Sequence, residues 1–238
     1  MNSIKRSTVS LSHLDRQQRV ELTAALQERE RRRCARDPEY WLFKYVKTQD
    51  EHDTSIAAKP FPDKEYLRWM VKEWLATRQN LWEKSRQIMA SWLFCALYLH
   101  DTQFISAIGG RRLNFIQSKK EEDSDALLRR CYFMYEHQEP WLRAMHPAEY
   151  SYCHLRFYRP EDTERKLAIG ELWGIPQGGD VLGQYTASGL FIDEAAFQPD
   201  LEASVRASQP MLKGGGRIDL VSSAEPSYFQ DLVEGRVK

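Results

Sequence analysis

No apolar run in this chain is long enough to cross a bilayer. The longest, from Ile88 to Leu99, is interrupted by Ser91 and falls well short of the roughly 20 residues a membrane helix needs. Net charge is also missing: 34 Lys and Arg balance 34 Asp and Glu, so the molecule as a whole has no large field to draw it onto a polyanion. Cys34, Cys95, Cys131 and Cys153 show no metal-ligand spacing, and neither do His13, His52, His100, His137, His146 and His154, so no zinc site is expected. No signal peptide is read in the sequence, and a reducing cytoplasm is the expected setting. Low-complexity segments are absent, and glycine and proline stand at ordinary levels, which excludes disorder except at the ends.

What is there is length and alternation. The 238 residues suffice for one sizeable α/β domain with an arm. The charge is uneven: residues 1–36 hold nine Lys and Arg against four Asp and Glu, marking a basic N-terminal helical arm ahead of a domain over 37–238. Ser12 and Asp15 are capping residues for a helix carrying Leu14, Leu22, Ala25 and Leu26. Its tail, Glu28 to Arg36, reads as a solvated helix end or as a DNA or partner contact. Asp37-Pro38 breaks it, and Tyr40, Trp41, Phe43, Tyr45 and Val46 form an aromatic segment expected to pack on the main domain. Thr48 to Lys59 reads as a polar loop, and Lys64 to Thr77 as an amphipathic helix with Leu67, Met70, Val71, Trp74 and Leu75 apolar.

Beyond it, strands are expected at Asn80–Trp82, Leu113–Gln117, Cys153–Arg159, Lys166–Ile175, Gly189–Asp193 and Arg217–Ser223, the third and fourth readable as a hairpin. Helices are expected from Trp92 to His100 and from Lys119 to Glu139, with a further helical stretch before Arg217. This alternation predicts an α/β fold with a mostly parallel sheet flanked by helices.

Two segments carry chemistry. In GLFIDEAA, Gly189 to Ala196, an apolar strand ends on Asp193 and Glu194, placing two carboxylates at the carboxyl edge of the sheet, where open α/β folds bind ligands. A nucleotide hydrolase uses such a pair to hold Mg²⁺ and to orient or deprotonate water; a helix cap or a solvated strand end would use the same residues without chemistry. In KSRQIMAS, Lys84 to Ser91, the phosphate-loop template GxxxxGK[ST] puts Lys84 and Met89 where glycines belong, Ala90 where the lysine belongs, and Ser91 on the final hydroxyl. Strand before, apolar helix after and terminal Ser all fit, and Lys84 and Arg86 place two cations inside the loop. If the sixth position needs a positive φ, Met89 costs roughly 1–2 kcal/mol there relative to glycine.

KSRQIMASW (Lys84 to Trp92), SKKEEDSDALLRR (Ser118 to Arg130), FIDEAAF (Phe191 to Phe197) and LVSSAEPSYF (Leu220 to Phe229), in that order, resemble the ATPase half of the phage large terminase subunit. PFPDKEYL, Pro60 to Leu67, resembles that family's adenine-side segment. The resemblance implies a P-loop NTPase fold of the ASCE type that binds ATP and Mg²⁺ through Lys84, Ser85, Arg86, Gln87, Ile88, Met89, Ala90 and Ser91. Lys84 matches the family's displaced loop lysine, Arg86 its loop arginine, Ser91 and Asp193 the metal side, and Glu194 the catalytic carboxylate. Ser222 and Ser223 match the coupling motif. Lys64 stands where relatives carry a glutamine for adenine, which leaves Phe61 or Tyr66 to stack on the base. Gln184 falls where relatives show an arginine, so Arg111, Arg112, Arg129, Arg130, Arg143 and Arg206 all remain candidates for a finger, each also readable as surface charge.

The implied partners are double-stranded DNA, the portal protein, the small terminase subunit and further copies in a homo-oligomeric ring, with no membrane, in the host cytoplasm. The family's nuclease domain has no counterpart before Lys238, and no DNA cutting is expected. A helicase-like nucleic-acid-dependent ATPase and a non-enzymatic portal-docking module are the alternatives.

Overall fold

The computed structural model describes residues 15–49, 58–105, 110–162 and 164–237. Asp15 opens helix α1 (Arg16–Arg36) with a capping box: its carboxylate accepts from Gln18 N at 2.8 Å, and the Gln18 side chain accepts from Asp15 N at 3.0 Å. Ser12, Leu14 and His13 lie outside the described residues, as does His52. Asp37 ends this helix and caps the next by accepting from Tyr40 N, with Pro38 at the first helical position, so the aromatic segment is a helix, α2 (Pro38–Tyr45), burying Trp41 and Leu42.

A two-stranded antiparallel ribbon follows, β1 (Lys47–Thr48) and β2 (Lys59–Pro60). The expected loop over 48–59 is thus paired at its ends, and residues 50–57 lie outside the described residues. The chain then runs through α3 (Glu65–Ala76), β3 (Gln79–Glu83), α4 (Ala90–Ile105), β4 (Arg112–Gln117) and α5 (Glu121–Glu136) to the single turn α6 (Pro140–Arg143). Next come β5 (Ala148–Ser151), β6 (His154–Phe157), β7 (Gly170–Ile175), α7 (Asp180–Gln184) and β8 (Gly189–Asp193). After a 3-10 turn at Ala195–Phe197 the chain ends its described course in α8 (Leu201–Lys213), β9 (Arg217–Ser222) and α9 (Tyr228–Val233).

Seven strands form one sheet in the order β3-β9-β8-β4-β7-β6-β5. From β3 to β7 every neighbour is parallel; β6 and β5 extend the far edge antiparallel. The expected hairpin over 153–175 exists as the antiparallel pair β6 and β7, but β5 was not foreseen, because Ala-Glu-Tyr-Ser has no run of β-branched residues. The expected helix over 119–139 is shorter, since the turn at His137 and Pro140 divides it.

Alternate residues along each strand feed two cores. On one face Ile116, Phe191 and Val221 pack under α2 to α5; on the other Phe115, Leu190, Ile192, Ile218 and Leu220 pack under α7 to α9. Every residue of α4 from Trp92 to His100 is buried, which is why this helix shows no polar stripe in the sequence. No helix among the described residues is long and apolar enough to cross a membrane.

Because β3, β9, β8 and β4 run parallel, their carboxyl ends share one edge. Glu83 pairs in register with Ser222, Val221 with Asp193, and Ile192 with Gln117. The loop after β3 and the carboxylates after β8 therefore open on the same side of the sheet, separated by β9.

Candidate functional site

Two strand spacings of about 4.8 Å separate the start of the 84–89 loop from the end of β8. A lysine on one side and a glutamate on the other bridge that gap. Lys84 Nζ lies 2.9 Å from Glu194 Oε1, with the lysine side chain largely buried and the glutamate side chain 45% exposed. Glu194 reaches back toward the loop because it leaves the strand in the left-handed region, at φ 48° and ψ 46°, a conformation that costs a non-glycine residue energy and recurs at functional sites.

Beside this pair, Ser91 Oγ donates to Asp193 Oδ1 at 2.9 Å. Ser91 sits in the first turn of α4. Burial pushes the Asp193 carboxyl above its ordinary value; the Ser91 hydroxyl and the charges of Lys84 and Arg130 pull it back, while Glu194 raises it further. The Asp193 carbonyl is fixed from behind: it accepts from Gln198 Nε2 at 2.7 Å, and Gln198 Oε1 accepts from Gln117 Nε2 at 2.7 Å.

The loop itself contains no glycine, yet Gln87 and Met89 both take φ 61°. Left-handed residues are what lets backbone N–H groups converge in anion-binding loops, and here two of them precede the α4 N-terminus without the usual glycines. Ser222 ties the elements together. Its carbonyl accepts from Lys84 N at 2.9 Å and its buried hydroxyl accepts from Ala196 N at 3.0 Å, linking the start of the loop to the turn after Glu194.

Two cavities meet here. One, of about 390 Å³, is lined by Gln87 to Trp92 and by Gln49 and Lys59 from the β1–β2 ribbon. The other, of about 540 Å³, is lined by Arg86, Ser118, Lys119, Asp193, Phe197 and Ser223 among others. Lys84, Gln87, Arg130 and Glu194 line both. Two clefts of similar size beside α1 are lined by Arg29 and Arg33 of that helix and touch none of these residues.

The structure thus brings together Lys84, Arg86, Gln87, Ile88, Met89, Ala90, Ser91, Asp193, Glu194 and Ser223. It does not bring Phe61, which is 2% exposed and lies edge-on to Phe43 with ring centres 6.1 Å apart; it is a core residue with no face for a base. Lys64 is exposed ahead of α3, Ser85 is exposed on the loop, and neither lines either of these two cavities. Ser222 is buried, so of the two serines only Ser223 faces the cavity. Sequence reasoning missed Gln49, Lys59 and Trp92. A signal existed for Ser118 and Lys119, which follow a parallel strand at the ligand edge; none existed for Gln49 and Lys59, which the ribbon delivers from a distance.

One strand, β9, stands between the loop strand β3 and the carboxylate strand β8. No family model and no curated protein matches the chain. Solved structures do. The ATPase domain of the large terminase of Thermus phage P74-26 superposes with a TM-score of 0.53 at 12% identity, covering 72% of this chain and 69% of that domain. The large terminase of bacteriophage HK97 gives 0.59 at 11% identity over 85% of this chain and 42% of its own. That of a thermophilic bacteriophage gives 0.53 at 11% over 73% and 42%. The fold is that of a large-terminase ATPase domain. The chain spans less than half the length of the two whole large terminases it matches.

Proposed function

We propose that this chain is an ATP-hydrolysing domain of a viral DNA-packaging motor. The observation that carries the reading is a cavity at the carboxyl edge of a parallel sheet where the loop's Lys84 meets Glu194 while Ser91 meets Asp193. The shared fold with large-terminase ATPase domains supports it.

In this reading the N–H groups of the 87–90 turn and the α4 N-terminus receive the nucleotide phosphates, and Lys84 and Arg86 neutralise their charge. Ser91 Oγ and the Asp193 carboxylate are hard oxygen donors of the kind Mg²⁺ takes, and the buried Asp193 gains most from a nearby cation. Bound there, the metal would neutralise the charge that builds as the terminal phosphoryl passes to water and the diphosphate departs. Lys84, released from Glu194 toward the phosphates, frees that carboxylate to orient the attacking water and accept its proton. Ser222, bonded to both Lys84 N and Ala196 N, transmits a shift on either side to β9. Duplex DNA is the expected track, held through its phosphates without sequence choice and with strong salt dependence.

The test is ATP turnover with Mg²⁺, with and without duplex DNA. Glu194→Gln is expected to lose hydrolysis and keep nucleotide binding, and Lys84→Ala to lose both. Glu194→Gln turning over at the wild-type rate would sink the assignment.

A further inference from the structure

Behind the two carboxylates runs a row of buried polar side chains that the proposed chemistry does not use. Gln198, 4% exposed, donates from Nε2 to the Asp193 carbonyl at 2.7 Å and accepts at Oε1 from Gln117 Nε2, also at 2.7 Å. Gln117 Nε2 donates as well to Ser204 Oγ at 2.9 Å, and that hydroxyl accepts from Gly178 N at 3.0 Å. The row ties the end of β4 and the turn after β8 to α8 and to the loop after β7. Phe197, next to Gln198, and Ser118, next to Gln117, line the 540 Å³ cavity, so the two amides lie directly beneath its wall.

The carbonyl that Gln198 holds belongs to the peptide between Asp193 and Glu194. Its direction therefore sets ψ of Asp193 and φ of Glu194. The β4–β8 ladder ends one residue earlier, at the Gln117–Ile192 pair, and a side chain anchored on Gln117 continues it. On the far side of Glu194, Phe197 N donates to the Glu194 carbonyl at 3.0 Å. Both peptide planes flanking Glu194 are thus held while it sits at φ 48° and ψ 46°, where a non-glycine residue persists only if its surroundings enforce it.

We infer that Gln198 is a positioning residue for hydrolysis: its amide, braced by Gln117, fixes the left-handed turn that aims the Glu194 carboxylate across the sheet edge at the loop. The inference rests on the ATPase reading. Only an amide nitrogen can face the Asp193 carbonyl, so Gln198 must present its oxygen to Gln117, and Gln117 must answer with Nε2. That order leaves Gln117 Oε1 buried without a partner, a cost that an apolar pair of the same shape would avoid. The amides serve the geometry of the turn at the expense of stability.

The experiment measures ATP turnover across ATP concentrations, and binding of fluorescent mant-ATP, with Mg²⁺, for wild type, Gln198→Met and Gln117→Met, well below each melting temperature. Gln198→Met keeps the length of the side chain and loses its donor; kcat is expected to fall roughly 10- to 100-fold with KM and mant-ATP affinity within about threefold of wild type. Gln117→Met removes the brace and leaves the donor, so kcat should fall less, again at unchanged KM. A purely structural role would lower the melting temperature of both variants and leave kcat of the folded protein alone. Wild-type kcat in folded Gln198→Met, or equal losses of kcat and nucleotide affinity, overturns the inference and leaves the ATPase reading standing. If Gln198→Met does not fold, Gln117→Met decides by the same criterion. A wild-type chain that neither binds nor hydrolyses ATP overturns the ATPase reading and the inference with it.

Discussion

Asp193 and Asp219 sit on adjacent parallel strands, β8 and β9, and both are buried. Burial pushes the proton affinity of each above its ordinary value. Their surroundings differ. Asp219 accepts four hydrogen bonds from neutral donors: Asn80 Nδ2 and Trp82 Nε1 on Oδ1, Trp74 Nε1 and Tyr98 Oη on Oδ2. Asp193 takes a hydroxyl from Ser91 and opens on a cavity. A carboxylate whose lone pairs are filled from four side chains is part of the framework. One left with acceptor capacity at a ligand edge is available to a cation. Asp219 also has a mechanical position: it ties α3, β3 and α4 to the strand that ends in Ser222, so the framework holding the loop strand is the same one that holds the serine beneath it.

The largest expected effect separates the two on turnover. Asp193→Asn removes the charge facing the cavity but keeps an oxygen for the Ser91 hydroxyl, so hydrolysis should fall on the order of 100- to 1000-fold with the fold intact. Relieving a buried charge should leave the melting temperature unchanged or raise it. Equal turnover in the variant and the wild type would mean that Asp193 is as structural as its neighbour.

Acid sharpens the contrast between these carboxylates and the rest of the core. Because burial raises both Asp193 and Asp219, the fold gains from their protonation as pH drops, so neither accounts for acid unfolding. His100 does the opposite. Enclosed by Trp41 and Phe104, with Nε2 2.7 Å from the Cys34 carbonyl, it is held by burial down to about 4 from an ordinary 6.5. Its contribution is therefore complete above pH 6.5, is lost as pH falls toward 4, and changes no further below that. At about 1.4 kcal/mol per unit, this is worth about 3 kcal/mol. Denaturant titrations at pH 7, 5.5 and 4 measure it, with His100→Gln, which keeps an N–H donor but cannot ionise, expected to remove the His100 share of the loss and to leave that of His146, which burial also holds down to about 4. A flat wild-type profile would contradict the assignment.

Asparagine at position 219 tests the framework side. In either amide orientation the new NH₂ faces an indole N–H, Trp82 in one and Trp74 in the other, and neither indole can accept. The cost is about 1–3 kcal/mol, a fall of several degrees in melting temperature for a chain of this size. Wild-type stability in Asp219→Asn would show the four-donor arrangement to be dispensable.

The two aspartates also mark what the sequence made legible. Asp193 was readable because it ends an apolar strand beside a second carboxylate. Asp219 lies in the middle of RIDLVSS, and nothing local announces that Trp74, Asn80, Trp82 and Tyr98 converge on it from three other elements. The alternation of strands and helices gave the parallel sheet, since periodicity is a local property. Phe61 looked like a base-stacking residue by its place in a motif, but exposure is set by tertiary packing, and Phe43 covers it. Arg130 was one of six comparable arginines in the sequence; only the face of α5 that it occupies, lining the cavity, distinguishes it from Arg129.

The smallest effect concerns the loop that faces Asp193. Met89 and Gln87 hold φ 61° where glycine would be free of strain. Replacing Met89 by glycine relieves roughly 1–2 kcal/mol of backbone strain but returns about 0.5–1 kcal/mol of chain entropy to the unfolded state. Relative to Met89→Ala the net gain should be under about 1 kcal/mol, visible as a melting temperature above that of the alanine variant by no more than a few degrees. Met89 also packs at the edge of the main core, so Met89→Ala is the control: it loses the same packing without gaining the backbone freedom. If glycine is no more stable than alanine at this position, the left-handed turn costs this glycine-free loop nothing.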